Sequence, residues 1–239
     1  VYERLGREMP GLEISANNRI PHGRGMGSSG SAIVSGVMIA AGLLGSDPES
    51  PLKLSEEQLL AFATDLEGHP DNVAPALFGG LTIAWTTPAG PKFKRLMVHR
   101  GVAPLVLVPS FTMSTALARS LQPSQVPHED AVFNVSRSAL LIAALTQSPE
   151  LLLEATEDRL HQNYRGEAMP ATRDLISDLR AAGHAAVVSG AGPSILVLSN
   201  GPAERLAAAD LVEARGDDWR ALILAVDTKG ATVESIPAH

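Results

Sequence analysis

The chain is 239 residues long, 45% hydrophobic and 19% charged. That is the balance of a globular protein with room for one large domain or two small ones, not of a disordered segment. Its net charge of −7 supplies no basic field for nucleic acid or an anionic membrane, and its lack of cysteine excludes a disulfide scaffold, a thiolate zinc site and a thiol nucleophile. A local site for a small anionic ligand stays open, and the absence of cysteine fits a reducing cytoplasm. With only 4% aromatic residues, Ala, Leu, Val and Ile must build the core.

Residues 1–9 read as the end of a helix stopped by Pro10-Gly11, without the apolar stretch of a signal peptide. Leu12–Ser15 is a strand candidate and Asn17-Asn18 a turn. A helix is predicted from Ser28 to about Leu44, apolar on nearly all sides and therefore expected buried. Its longest apolar run, Ala32–Leu44, is broken by Ser35, Gly36 and Gly42 and falls short of a bilayer span. Ser55-Glu-Glu-Gln opens a second helix with a capping pattern, running to about Leu66. A polar break at Glu67–Asn72, a short apolar stretch Val73–Phe78, a Gly79-Gly80 turn and a strand at Leu81–Trp85 follow. Residues 86–94 read as a linker or hairpin tip. Beyond them, Ala103–Val108 is a buried-type strand, and His128–Leu145, Leu151–His161 and Thr172–Ala182 are helical. Ala185–Val188 and Ser194–Leu198 are strands around Ser189-Gly-Ala-Gly-Pro, then come a helix at Ala203–Ala214 and a last strand at Ala221–Asp227. This order suggests an α+β second domain with a mainly antiparallel sheet.

Four glycines in eight positions, Gly23-Arg-Gly-Met-Gly-Ser-Ser-Gly30, run straight into a helix. Glycine lets backbone N–H groups turn inward, and the helix start adds unpaired donors and about half a positive charge. Together these make a phosphate cradle, to which Ser28 and Ser29 add hydroxyls for phosphate or a magnesium ion. Gly25-Met-Gly27-Ser-Ser-Gly30 matches the dinucleotide fingerprint, but Asn18-Arg-Ile-Pro-His ahead of it is no hydrophobic strand. A P-loop needs a lysine, and none lies between Tyr2 and Leu52. A glycine-rich turn without a ligand is the plain alternative.

Glu67-Gly-His-Pro-Asp-Asn72 sets two carboxylates, an imidazole and an amide between apolar flanks, where unpartnered polar groups are costly. His69 lacks a second His or Cys at ligand spacing. A carboxylate on hydrated magnesium is more favourable, since that ion keeps water and substrate phosphates as ligands.

Pro21-His-Gly-Arg-Gly-Met-Gly-Ser-Ser-Gly-Ser31 resembles the GHMP kinase loop, with Met26 in place of leucine and Gly30 in place of alanine. Glu67-Gly-His-Pro-Asp-Asn-Val-Ala-Pro-Ala-Leu-Phe-Gly-Gly-Leu81 resembles the second GHMP motif in its homoserine kinase form. Ser189-Gly-Ala-Gly-Pro-Ser194 is similar to the third motif, a glycine loop near the nucleotide phosphates. The resemblance covers most of residues 12–230. It implies a two-lobe α+β fold: a ribosomal protein S5 domain 2-like lobe over 1–94 and a ferredoxin-like lobe over 95–239. A longer N-terminal segment precedes the loop in that family, so the first lobe is expected to be incomplete, lacking its first strands.

The implied activity is ATP-dependent phosphorylation of the L-homoserine hydroxyl in threonine biosynthesis, in the cytoplasm, with ATP and Mg2+ as cofactors. Implied ATP-binding residues are Pro21, His22, Gly23, Arg24, Gly25, Met26, Gly27, Ser28, Ser29, Gly30, Ser31, Gly190 and Gly192. Ser29 and Glu67 would ligate the metal. His69, Asp71, Thr115, Arg119 and Arg165 would bind substrate, with Arg119 and Arg165 clamping its carboxylate. Asp71 and Asn72 stand at the position where other GHMP kinases are thought to use a catalytic aspartate; the resemblance leaves open whether Asp71 accepts the hydroxyl proton or only orients the hydroxyl, with transfer by positioning and no base. Thr115 and Arg119, one helical turn apart, can face one pocket. The helix carrying Arg137 reads as structural. A homodimer is compatible with the resemblance, and no nucleic-acid or membrane partner is expected. The alternatives are another GHMP kinase, of mevalonate or shikimate type, and a non-catalytic sensor, which would be expected to have lost Ser29 or Glu67.

Overall fold

A computed structural model describes residues 1–216 and 218–234, with the side chains of Thr115, Ala116 and Arg119 outside the described set. The chain divides into two compact units. The first comprises residues 1–20, 27–96 and the segment from 227 onward; the second comprises 21–26 and 97–226. Residues 21–26 and the segment from 227 thus fall on the other side of a contiguous 1–94/95–239 partition.

In the first unit, helices α1 (Ser28–Gly45), α2 (Glu56–Glu67) and α3 (Pro70–Phe78) pack on one another and on the hairpin β1 (Leu81–Thr87) and β2 (Gly90–Leu96). The capping box forms in both directions: Ser55 Oγ accepts from Gln58 N at 3.2 Å, and Gln58 Oε1 accepts from Ser55 N at 2.9 Å. Val34, Val37, Leu60, Ala63, Val73, Ala74, Leu77 and Phe78 form the core. Phe78 stacks on Phe93 of β2 with ring centroids 3.9 Å apart. The stretch 86–94, expected as a linker or hairpin tip, does hold the tip of a hairpin, at residues 88–89, but its later residues belong to a strand, held by pairing from Leu81↔Leu96 to Thr87↔Gly90 and by this stacking.

Two further expectations fail here. Leu12–Ser15 forms no strand; Ile14 is 65% exposed and finds no sheet partner. Helix α1 buries one stripe, Gly30, Val34, Val37 and Leu44, rather than its whole surface, because α2 and α3 cover only one side; Ile39 is 40% exposed. By length and composition α1 would suffice to cross a membrane, contrary to the estimate from its apolar run alone. The break at 67–72 is also shorter than expected. Only Gly68 and His69 interrupt the helices, since Pro70 is well placed at a first helical position, so Asp71 and Asn72 lie in the first turn of α3.

The segment after 226 straps this unit. Gly80 N donates to Asp227 O at 2.7 Å, and Ala231 N donates to Ala76 O and Leu77 O at 3.0 and 3.1 Å. Gly79 and Gly230, both at positive φ, allow the strap and the end of α3 into backbone contact; a Cβ on Gly79 would stand 2.6 Å from Gly230 N.

The second unit holds a four-stranded antiparallel sheet of β3 (Val102–Pro109), β4 (Ala185–Val188), β5 (Ile195–Asn200) and β6 (Trp219–Ile223), in the order β4-β5-β3-β6. With α8 (Pro170–Ala181) and α9 (Pro202–Arg215) as its crossovers, this is the ferredoxin-like arrangement. Leu105, Leu107, Ala186, Ile195 and Val197 point from the sheet into a core completed by Leu175, Ile176 and Leu179 of α8 and Ala208 and Val212 of α9. Between β3 and α8 run α4 (Thr115–Ser120), α5 (His128–Thr146), α6 (Leu152–Ala155) and α7 (Gln162–Gly166). The helix expected over Leu151–His161 stops at Ala155. Asp158 is the reason: its carboxylate accepts from the N–H groups of Leu160, His161 and Gln162 at 3.1, 2.9 and 2.6 Å, closing a turn in place of helical bonds.

Candidate active site

The first unit gathers the start of α1, the end of α2 and the start of α3. Gly27, left-handed at φ +73°, precedes α1 and offers no side-chain cap. The first-turn N–H groups at Ser28, Ser29 and Gly30 therefore have neither an intrahelical partner nor a cap, and the positive end of the helix dipole adds to them. Ser29 Oγ donates to Glu67 Oε2 at 3.3 Å, across 38 positions of sequence. Glu67 is the last residue of α2, and Gly68, at φ +91°, turns the chain sharply so that α3 can begin two residues later. A Cβ on Gly30 would lie 3.4 Å from Asn72 Cβ, so α1 and α3 meet closely at this glycine. His69 Nδ1 pairs with Asp71 Oδ1, which also accepts from Asn72 N at 3.0 Å. Ser29, Glu67, His69, Asp71 and Asn72 are thus neighbours in one unit.

The second unit holds the first half of the glycine loop against the third motif. Ser189 Oγ donates to Gly25 O at 2.9 Å. Gly25, Gly190 and Gly192 all adopt positive φ, and a Cβ on Gly25 would lie 2.7 Å from Gly192 N. Arg24 has an anchoring role that the sequence does not disclose. Its Nε donates to Pro109 O at 2.9 Å and its Nη2 to Ser110 O at 2.8 Å, fixing the loop to the end of β3. Gly23 O accepts from Met113 N at 3.0 Å. Pro21, His22 and Met26 complete this segment, and Ser31 N bonds back to Gly27 O at 2.9 Å as α1 begins.

Arg165, in α7, donates from Nη1 to Gly190 O at 3.1 Å and so touches the third motif directly. Thr115 and Arg119 fall in α4, but their side chains lie outside those described. Arg137 pairs with Glu157 at 2.7 Å and lies over the Phe133 ring, in keeping with a structural role.

Sequence reasoning missed the group around Asp158. Asn134 Nδ2 of α5 donates to Asp158 Oδ1 at 2.8 Å, alongside the three backbone donors. Burial opposes the charge, yet the donors from Gln162, Asn134, His161 and Leu160 outweigh it and hold this carboxyl at about 2. The usable signal was an aspartate four residues ahead of Gln162, at the head of a short helix.

Comparison with known proteins accords with this geometry. Residues 1–80 match the GHMP kinases N terminal domain and residues 139–217 the GHMP kinases C terminal family. The chain is 68% identical to a homoserine kinase of Leifsonia xyli, over 98% of its own length and 72% of the relative's. It is 67% identical to one from Clavibacter michiganensis, over 98% and 73%, and 45% identical to one from Streptomyces avermitilis, over 99% and 75%. Among solved structures, a homoserine kinase from Cytophaga hutchinsonii shares the fold at a TM-score of 0.76, with 24% identity, 89% of this chain and 69% of that one covered. Two family domains in tandem, the three motifs in order and relatives at this identity lead to one conclusion: the chain belongs to the homoserine kinases of the GHMP kinase family.

Proposed function

We propose that this chain transfers the γ-phosphoryl group of ATP to the hydroxyl of L-homoserine, and that residues Pro21–Ser31 hold the nucleotide's phosphates. The observation that carries the kinase chemistry is the Ser29–Glu67 contact at the uncapped start of α1. A hydroxyl and a carboxylate 3.3 Å apart fit Mg2+, a hard ion that takes its remaining oxygens from water and phosphates. Bound there, the ion would neutralise charge on the β- and γ-phosphates. Homoserine as the acceptor is supported by the relatives' names.

Phosphoryl transfer depends mostly on alignment and charge, so few side chains need do covalent work. The homoserine oxygen attacks the γ-phosphorus, the bond to the ADP oxygen breaks, and Asp71 Oδ2 accepts the hydroxyl proton. His69, on Oδ1, keeps that carboxylate oriented. Arg119 and Arg165 hold the substrate carboxylate, a task suited to a planar guanidinium. An ADP-release assay with homoserine, mevalonate and shikimate tests this. Turnover is expected with homoserine alone and only with Mg2+. Comparable kcat/KM on mevalonate or shikimate would refute the assignment.

A further inference from the structure

Helix α7 has five residues, too few to be stable alone, so its anchors set its position. At its start, Asp158 accepts the Leu160, His161 and Gln162 N–H groups and is itself tied to Asn134 of α5. From its body, Gln162 Oε1 accepts from Val188 N at 2.7 Å and Arg165 Nη1 donates to Gly190 O at 3.1 Å. The helix is therefore strung between one largely buried carboxylate and the third glycine motif. A cavity of about 500 Å³ adjoins this group, but its arginines are already engaged: Arg159 with Asp130, Arg173 with Asp174, and Arg180 with Thr156 Oγ1 and the Leu153 and Ala186 carbonyls. Its polar wall is scaffold.

We propose that Asp158 is a positioning residue for homoserine phosphorylation: by fixing α7 it aims Arg165 at the substrate carboxylate and at the Gly190 carbonyl. This rests on the assignment of Arg165 as a substrate clamp. Asp158 touches no reactant; it acts through the helix it caps. Removing its carboxylate leaves three backbone donors and the Asn134 amide without their acceptor, and α7 loses its fixed start.

The test is a double-mutant cycle in the full chain, with homoserine KM, ATP KM and kcat measured for D158A, D158N, R165A and D158A/R165A. D158A is expected to raise homoserine KM roughly ten- to hundredfold, as misplacement of a binding group does, with a smaller change in kcat. D158N, which keeps one acceptor, should recover part of that loss. The double variant should be no worse than R165A, because Asp158 acts through Arg165. Additive effects, or a folded D158A or D158N with unchanged homoserine KM, would overturn the proposal while leaving the clamp intact. An unchanged KM in R165A would overturn the clamp assignment and this inference with it. If D158A fails to fold, Q162A, which removes the Val188 anchor alone, takes its place in the same cycle.

Discussion

Gly25→Ala and Gly27→Ala add the same methyl group two residues apart, and the structure predicts very different costs. Both positions have left-handed backbone, at φ +69° and +73°. That conformation costs any L-residue about 1–2 kcal/mol at either site. At Gly27 the new Cβ meets nothing within 4 Å. At Gly25 it would lie 2.7 Å from Gly192 N, 2.8 Å from Gly192 O and closer still to the Ser189 carbonyl, all of them backbone atoms that cannot rotate aside. Segment 21–26 must then come away from the third motif. Its release is limited by the bonds it breaks: Ser189 Oγ to Gly25 O, Met113 N to Gly23 O, and the two from Arg24 to Pro109 and Ser110. With four bonds at about 1 kcal/mol net each added to the backbone cost, Gly25→Ala totals about 5–6 kcal/mol against about 1–2 for Gly27→Ala. For a chain of this size that corresponds to melting about 16 °C lower against about 4 °C lower. Calorimetric scans of the two variants at matched concentration decide the point. Equal losses would refute the backbone contact between the two glycine loops.

Glu67→Gln should raise the Mg2+ concentration for half-maximal activity at least about tenfold, while shifting stability by no more than about 0.5 kcal/mol, as a half-buried change outside the core does; a magnesium titration with a parallel urea melt reads both. Arg119→Ala should raise homoserine KM roughly 10–150-fold, the worth of a charge-assisted hydrogen bond, with ATP KM unchanged in steady-state kinetics. Asp158 has its folded pKa lowered to about 2 from 3.8, so the stability it contributes is present above pH 4 and is lost as pH falls toward 2. That contribution is about 2 kcal/mol for a side chain only 14% exposed, so the urea-stability gap between the native chain and Asp158→Asn should shrink by that amount between pH 6 and pH 2.

Features with local causes were legible in the sequence. Ser55 and Gln58 announce the start of α2 because the capping box needs only neighbours three apart. The sheet of the second unit follows from apolar runs such as Ala103–Val108, and the meeting of Ser29 with Glu67 was implied by the family resemblance of the two motifs. What stayed hidden depends on distant partners. The strand 90–96 carries three basic residues and a proline, and only stacking of Phe93 on Phe78 marks its inner face. The anchors of Arg24 lie 85 and 86 residues away on backbone carbonyls, which carry no sequence signature. Leu151–His161 has the apolar spacing of a helix, but the Asp158 carboxylate competes successfully for the N–H groups a helix would use.

The strap of residues 227–234 bears on the order of synthesis. Its backbone bonds reach the Ala76 and Leu77 carbonyls at the end of α3 and the N–H of Gly80, groups that leave the ribosome long before it does. During translation α1, α2, α3 and the β1–β2 hairpin must wait while the whole of the second unit emerges at about 5–20 residues per second. Through that interval the carbonyls at the end of α3 rely on water, and the gap shaped by Gly79 stays unfilled. The first unit to be made is thus the last to be completed, and its final closure is a contact of high sequence separation, the slow kind in folding. A ribosome that stopped at residue 226 would release a second unit with all its strands and a first unit still lacking its closing segment.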